Sequence, residues 1–144
     1  MLDRLLAPPA PQSRPRTVLR WLFAAAYLFV GIAHLRAPAG FIQITPAWVL
    51  DPPLVITLTG LAEIAGAIAL AAIPRLRKAA GIGLALYAVC VFPANINHAL
   101  GHIALGGTQL GWGYHAPRLA FQPVLVWLAL WLGGVADWPF RRRN

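Results

Sequence analysis

Leu54 to Ile73 reads LVITLTGLAEIAGAIALAAI between prolines at 53 and 74. As a helix rising about 1.5 Å per residue, such a run covers a hydrocarbon core of about 30 Å. It therefore predicts a membrane-crossing helix. Near its middle stands one carboxylic acid, Glu63. An ionised side chain at the bilayer centre costs roughly 3 kcal/mol on insertion scales, so such a group faces the bundle interior and finds partners there. One helix cannot supply them, and the rest of the chain must.

The composition allows little else. Of 144 residues, 59% are hydrophobic and 11% charged, against about 25% charged in soluble domains. Four apolar stretches, near 17–35, 54–73, 79–100 and 118–136, use most of the length, so the expected fold is all-α: an integral membrane four-helix bundle within 17–138. A basic, proline-rich arm (1–16) precedes it and a basic tail (139–144) follows. A signal peptide is the rival reading of the first stretch, because basic residues precede it and Ala37-Pro38-Ala39 resembles a cleavage site. The run is longer than a signal core of roughly 7–15 residues, and its removal would leave an odd number of spans.

Net charge is +8, which in a soluble protein would suggest nucleic acid. Here the basic residues flank apolar runs, the pattern of membrane orientation and lipid contact, and no nucleic-acid role follows. Arg4, Arg14, Arg16, Arg20, Arg75, Arg77, Lys78 and Arg141 to Arg143 fall on one side, Arg36 and Arg118 on the other. The positive-inside rule makes both termini cytoplasmic in a multi-pass protein of the bacterial inner membrane. Cys90 is the single cysteine, so no intramolecular disulfide or CxxC couple exists.

In that orientation the polar residues gather on the outward half. Glu63 sits near mid-membrane, and His34 ends the first span. Asn95, Asn97 and His98 close the third, and Arg118 and Gln122 open the fourth. Helical spacing puts Tyr27, Gly31 and His34 on one face, Gly60, Glu63 and Gly66 on another, and Val91, Asn95 and His98 on a third. Turned inward, these stripes predict an outward-opening polar pocket with Glu63 at its floor. Pro93 cannot donate to the Val89 carbonyl, so a kink or unwinding is expected there. The glycine-rich stretch from Ala99 to Pro117 reads as a loop or cap, and residues 36–53 as a proline-broken connector along the outer interface.

Each residue also has a plainer role. Glu63 can be a protonated packing device between Gly60 and Gly66. His34 can be an interface hydrogen-bonding residue, Asn95 and Asn97 can satisfy the backbone freed by Pro93, and Arg118 can snorkel to headgroups. His98 and His102 have metal-ligand spacing, with His34, His115 and Glu63 as further donors, yet without an HExxH pattern or cysteine pair no metal site is assigned. Trp127 and Trp131 read as packing or lipid-facing residues.

The segments GIAHLRAPAGF, GLAEIAGAIAL, FPANINHAL and HAPRLAFQPVLVWLALW, in that order across four spans, resemble the DoxX-like small membrane proteins. The resemblance implies a four-helix membrane bundle and an association with respiratory redox chemistry, such as thiosulfate oxidation by quinone. It carries over no catalytic set. Three functions stay open. The first is a redox subunit binding a quinone-like or small sulfur substrate, with Glu63 and His34 exchanging protons, Arg118 and Gln122 orienting a polar head, and Asn95, Asn97 and His98 lining the pocket. No redox-cofactor motif is visible; quinone enters as substrate, and electrons pass between substrates or to a membrane redox partner. The second is a proton-coupled small-molecule carrier working as a homo-oligomer. The third is a non-catalytic assembly subunit whose pocket holds lipid.

Overall fold

Prolines and one aspartate punctuate the helices. The computed structural model describes residues 6–9 and 11–138, so Arg4 and the basic tail at 139–144 lie outside the described residues. Helix α1 spans Arg14–Arg36 with Pro15 in its first turn, where a missing N–H costs nothing. A short α2, Pro38–Ile44, lies inside the proline-broken connector. Helix α3, Pro52–Ala72, opens on two prolines, and the Asp51 carboxylate accepts the Leu54 amide at 3.1 Å, satisfying one otherwise orphan donor.

A single 3₁₀ turn at Pro74–Leu76 leads into α4, Arg77–Leu100. The glycine-rich segment then differs from its reading as a loop. Its first part is a hairpin of β1 (Ala104–Leu105) and β2 (Thr108–Gln109). Gly106 and Gly107 turn it with φ of +57° and +79°, which a two-residue hairpin turn of mirror-image type requires at both positions. Its second part already belongs to α5, Trp112–Gly133, which begins well before Arg118 and stops short of residue 136. Pro117 withholds a donor only from the carbonyl of Gly113, an exposed residue of the first turn, so it does not end the helix. At the far end Gly134, with φ +79°, closes α5 in the left-handed conformation.

Pro93 and Pro123 likewise lie within continuous helices, without the local unwinding expected at Pro93. Neither nearby asparagine turns to the Val89 carbonyl: Asn95 bonds Gln122 and Asn97 bonds the Ile44 carbonyl.

The four long helices α1, α3, α4 and α5 are long and apolar enough to cross a membrane. They run up, down, up, down. Gln12 Nε2 donates to the Leu132 carbonyl at 2.9 Å, Arg16 bonds the Trp131 carbonyl, and Asp137 lies 3.6 Å from Arg16. Both ends of the described chain thus meet at one end of the bundle, called here the terminal end. Helix α1 packs along α3, and α4 along α5; the two pairs join chiefly between α3 and α4, and α1 barely meets α5.

The apolar core fills the terminal half, where Phe23, Ala67, Leu70, Leu84, Ala129 and Leu132 are buried. Gly81 and Gly133 let α4 and α5 touch there: a Cβ on Gly81 would stand 2.7 Å from the Ala129 carbonyl. The opposite, distal half is not filled.

Candidate functional site

A cavity of about 830 Å³ occupies the distal half between the helix pairs. Its deepest lining residue on α3 is Glu63, facing Tyr27 of α1, Tyr87 of α4 and Leu125 of α5. Toward the distal end its wall includes Trp48, Leu50, Val55 and Phe121, all exposed on the outer surface of the bundle. Most of the lining is apolar. Thr45, Asp51 and Thr59 also line it, and two clusters of interacting polar side chains enter it.

The deeper one is a buried pair. His34 Nδ1 stands 2.6 Å from Glu63 Oε2, and both side chains are nearly inaccessible. Close packing of α1 on α3 produces this contact. A Cβ added to Gly31 would lie 2.8 Å from the Gly60 carbonyl, and one added to Gly60 would lie 2.8 Å from the His34 Cβ. The helices are antiparallel, so Gly60 lies opposite His34 and Gly31 lies opposite Glu63, whose Cβ would be 3.0 Å from a Cβ on Gly31. The missing side chains let the imidazole and carboxyl meet across the seam. Phe41 of α2 packs on the imidazole with ring centroids 3.8 Å apart. Tyr87 lines the cavity with Glu63, and its ring meets Tyr27 edge-on at 6.0 Å. The ionised and neutral forms of the pair share one proton between Nδ1 and Oε2, and once a proton is lost an Nδ1–H imidazole still donates to the carboxylate, so the couple can release a proton and keep its hydrogen bond.

The second polar place is nearer the distal end. Asn95 Nδ2 donates to Gln122 Oε1 at 3.2 Å, and Gln122 Nε2 donates to the Ala88 carbonyl at 2.5 Å, bridging α4 and α5. Arg118, half-buried one turn before Gln122, also lines the cavity.

Residues 23–133 match the family described as a domain of unknown function, DUF8561. The chain belongs to that family. Neither a curated protein nor a solved structure matches it. Every residue lining the cavity falls within the DUF8561 match, whereas the basic arm lies outside it.

Of the seven candidate residues read from the sequence, the DUF8561 domain sets His34, Glu63, Asn95, Arg118 and Gln122 on the cavity wall. Asn97 and His98 are not on that wall. Asn97 Nδ2 donates 2.9 Å to the Ile44 carbonyl and holds the end of α2 against α4. His98 is fully buried behind Arg118, whose Nη1 approaches its Nδ1 at 3.1 Å. Helical rotation explains Asn97, which lies about 200° round α4 from Asn95; His98, three residues on, keeps to the side of Asn95, but Arg118 stands between it and the cavity. Tyr87 and Phe41 were missed, although Tyr87, Val91 and Asn95 recur at intervals of four on α4.

His98 and His102 do not share a helix face, because α4 ends at Leu100 and His102 is exposed with φ +49°. Among the described residues no group of three or more metal-ligating side chains is placed to hold an ion. His98 instead meets His115 of α5, with ring centroids 4.7 Å apart. His115 lines a separate distal cleft of about 270 Å³ together with His102, Gln109 and Trp112.

Proposed function

We propose that this DUF8561 protein binds a lipophilic quinone-type carrier from the bilayer and exchanges a proton with its polar head at Glu63 and His34. The observation that carries this reading is the buried acid–imidazole pair in the wall of a large apolar cavity whose rim is built from exposed apolar side chains. Ligand sites of roughly 300–1,000 Å³ with a few placed polar groups are typical of small-molecule binding. Intramembrane ionisable residues mark ligand or proton sites. The ring of such a carrier fits beside Tyr87 and Phe121, its head at Glu63, and its chain leaves between Trp48 and Val55.

In this reading the terminal end faces the bacterial cytoplasm and the cavity the outer leaflet. Arg14, Arg16, Arg20, Arg75, Arg77 and Lys78 belong to the terminal end, against Arg36 and Arg118 at the other, which supports that orientation. The resemblance to DoxX-like proteins supports a redox role, with electrons passing to a membrane partner or a second substrate.

One observation favours a proton-coupled carrier instead: α1 barely meets α5, so the pairs could rock about the α3–α4 contact. The packed core closing the terminal half weighs against it.

Cys90 makes the reading testable, because it is the chain's single cysteine, is exposed and lines the cavity. In nanodiscs, a decyl quinone with a fully substituted ring is expected to slow maleimide labelling of Cys90. Glu63→Gln is expected to weaken that protection roughly tenfold, as loss of a charge-assisted hydrogen bond does. Labelling that ignores the quinone rejects the ligand site. Protection unchanged in Glu63→Gln, with stability alone altered, leaves the acid as a packing residue.

A further inference from the structure

His98 touches groups from both distal voids, as does the exposed Tyr114 beside it. Arg118, which bonds it on one side, lines the large cavity. His115, which it meets on the other, lines the outer cleft. His98 itself lines neither and has no exposed surface.

Hydrogen bonding sets the tautomers of both rings. Arg118 can only donate, so His98 Nδ1 is an acceptor and its proton sits on Nε2. His115 Nε2 donates to the Leu110 carbonyl at 2.9 Å, so its proton sits on Nε2 and its Nδ1 carries a lone pair. The two remaining nitrogens, His98 Nε2 and His115 Nδ1, are both buried and without a hydrogen-bond partner. One is a donor and the other an acceptor, on rings in edge contact. Buried polar atoms left unpaired in this way call for an explanation. Two lone pairs would suit a metal; a donor on one ring and an acceptor on the ring beside it suit a proton.

The charges around the pair are few. Arg118 and Tyr114 approach from α5, with the guanidinium 5.7 Å over the Tyr114 ring; the Ile103 backbone lies beside His98, and His102 is at the cleft. Among the described residues no carboxylate lies within ion-pair distance of Arg118, His98 or His115. Arg118 is thus held by a neutral ring and an aromatic face, a weak tether for a cation that also borders the cavity.

We infer that His98 and His115 form a proton route from the ligand cavity to the distal cleft, gated by Arg118. When the guanidinium turns toward a polar ligand head, His98 Nδ1 is freed and takes a proton from that head. His98 passes its Nε2 proton to His115 Nδ1, directly or through one water. His115, briefly an imidazolium that keeps its bond to Leu110, releases the Nδ1 proton to water in the cleft. One proton enters and one leaves, and His98 is left as its Nδ1–H tautomer. A flip of the ring turns that N–H toward His115 and the Nε2 lone pair toward Arg118, so that the next transfer returns the first tautomer. The route rests on the cavity being a ligand site that exchanges protons, and it gives that site an outlet on its distal side.

The test follows imidazole N–H exchange with solvent by NMR, using protein with ¹⁵N-labelled histidine in nanodiscs and His98 assigned through its loss in His98→Gln. In His115→Gln, His98 exchange is expected to slow roughly a hundredfold, the low end of what a positioned proton-transfer group contributes. In Arg118→Gln it is expected to quicken, since the gate is gone. His98 exchange unchanged in His115→Gln, or slowed in Arg118→Gln, overturns the route. Cys90 protection by decyl quinone, measured on the same samples, is expected to persist in His115→Gln. Its absence in the unsubstituted protein rejects the cavity reading alone, because the exchange rates are read without any ligand.

Discussion

The two helix pairs use the same device at opposite ends. α1 and α3 meet backbone to backbone at Gly31 and Gly60 in the distal half, beside the acid–imidazole pair. α4 and α5 meet at Gly81 and Gly133 near the terminal end. Where α1 and α3 are tight, a short carboxylate and an imidazole make direct contact. Toward the distal end of α4 and α5, the longer Gln122 and Arg118 reach Asn95, the Ala88 carbonyl and His98. The position of a glycine contact thus decides whether a polar pair is direct or bridged, and the space between the differently pinched pairs is the cavity.

Separating Glu63 from His34 is expected to break the comparison most sharply. His34→Ala leaves a carboxyl buried without its partner, and removing one member of a buried pair costs about 3–5 kcal/mol. The double variant His34→Phe with Glu63→Leu, which leaves no stranded polar group, is expected to recover most of that loss. Equilibrium unfolding in mixed micelles measures both. A double variant no more stable than His34→Ala would show that the pair's neighbours, Tyr87 foremost, depend on it.

Smaller effects should follow from widening the glycine contacts. Gly31→Ala and Gly81→Ala each place a Cβ under 3.0 Å from backbone of the facing helix, and such overpacking costs about 1–3 kcal/mol. The costs should be alike and the consequences different. Gly31→Ala pushes His34 away from Glu63 and should abolish quinone protection of Cys90, whereas Gly81→Ala should preserve it. A Cβ added to Gly83 would meet nothing within 4 Å, so Gly83→Ala should be neutral or stabilise by up to about 1 kcal/mol through helix propensity. Equal loss of protection at Gly31 and Gly81 would mean that the pairs are not independent.

The spans were legible because apolar length needs no tertiary context to be read, and Glu63 was legible because an acid is costly in such a run. Its partner was less so. His34, His98, Asn95 and Arg118 were all chemically suitable, and the close antiparallel approach that sets Gly60 opposite His34 and Gly31 opposite Glu63 is what singles out His34. The start of α5 was misread because Pro117 and five glycines resemble a loop, although only Gly106 and Gly107 take hairpin geometry and Pro117 falls where a missing donor is tolerated. The His98–His115 contact could not be read at all, since it depends on a hairpin returning the chain so that α5 starts beside the end of α4.

The smallest expected effect concerns the bridged pair. Gln122→Leu keeps the side chain's bulk but removes both the bond from Asn95 and the bond to the Ala88 carbonyl. Interhelical hydrogen bonds in membrane proteins average about 0.6 kcal/mol, because the unfolded chain in lipid also finds partners. Two of them predict a loss of about 1 kcal/mol, below that of His34→Ala and readable by the same unfolding measurement. The Ala88 carbonyl keeps its place in the α4 ladder, so only Asn95 is left with an unmade bond, and Asn95→Ala added to Gln122→Leu should cost almost nothing further. A loss in Gln122→Leu as large as that of His34→Ala would mean that the bridge, more than the Gly81–Gly133 contact, holds α4 to α5.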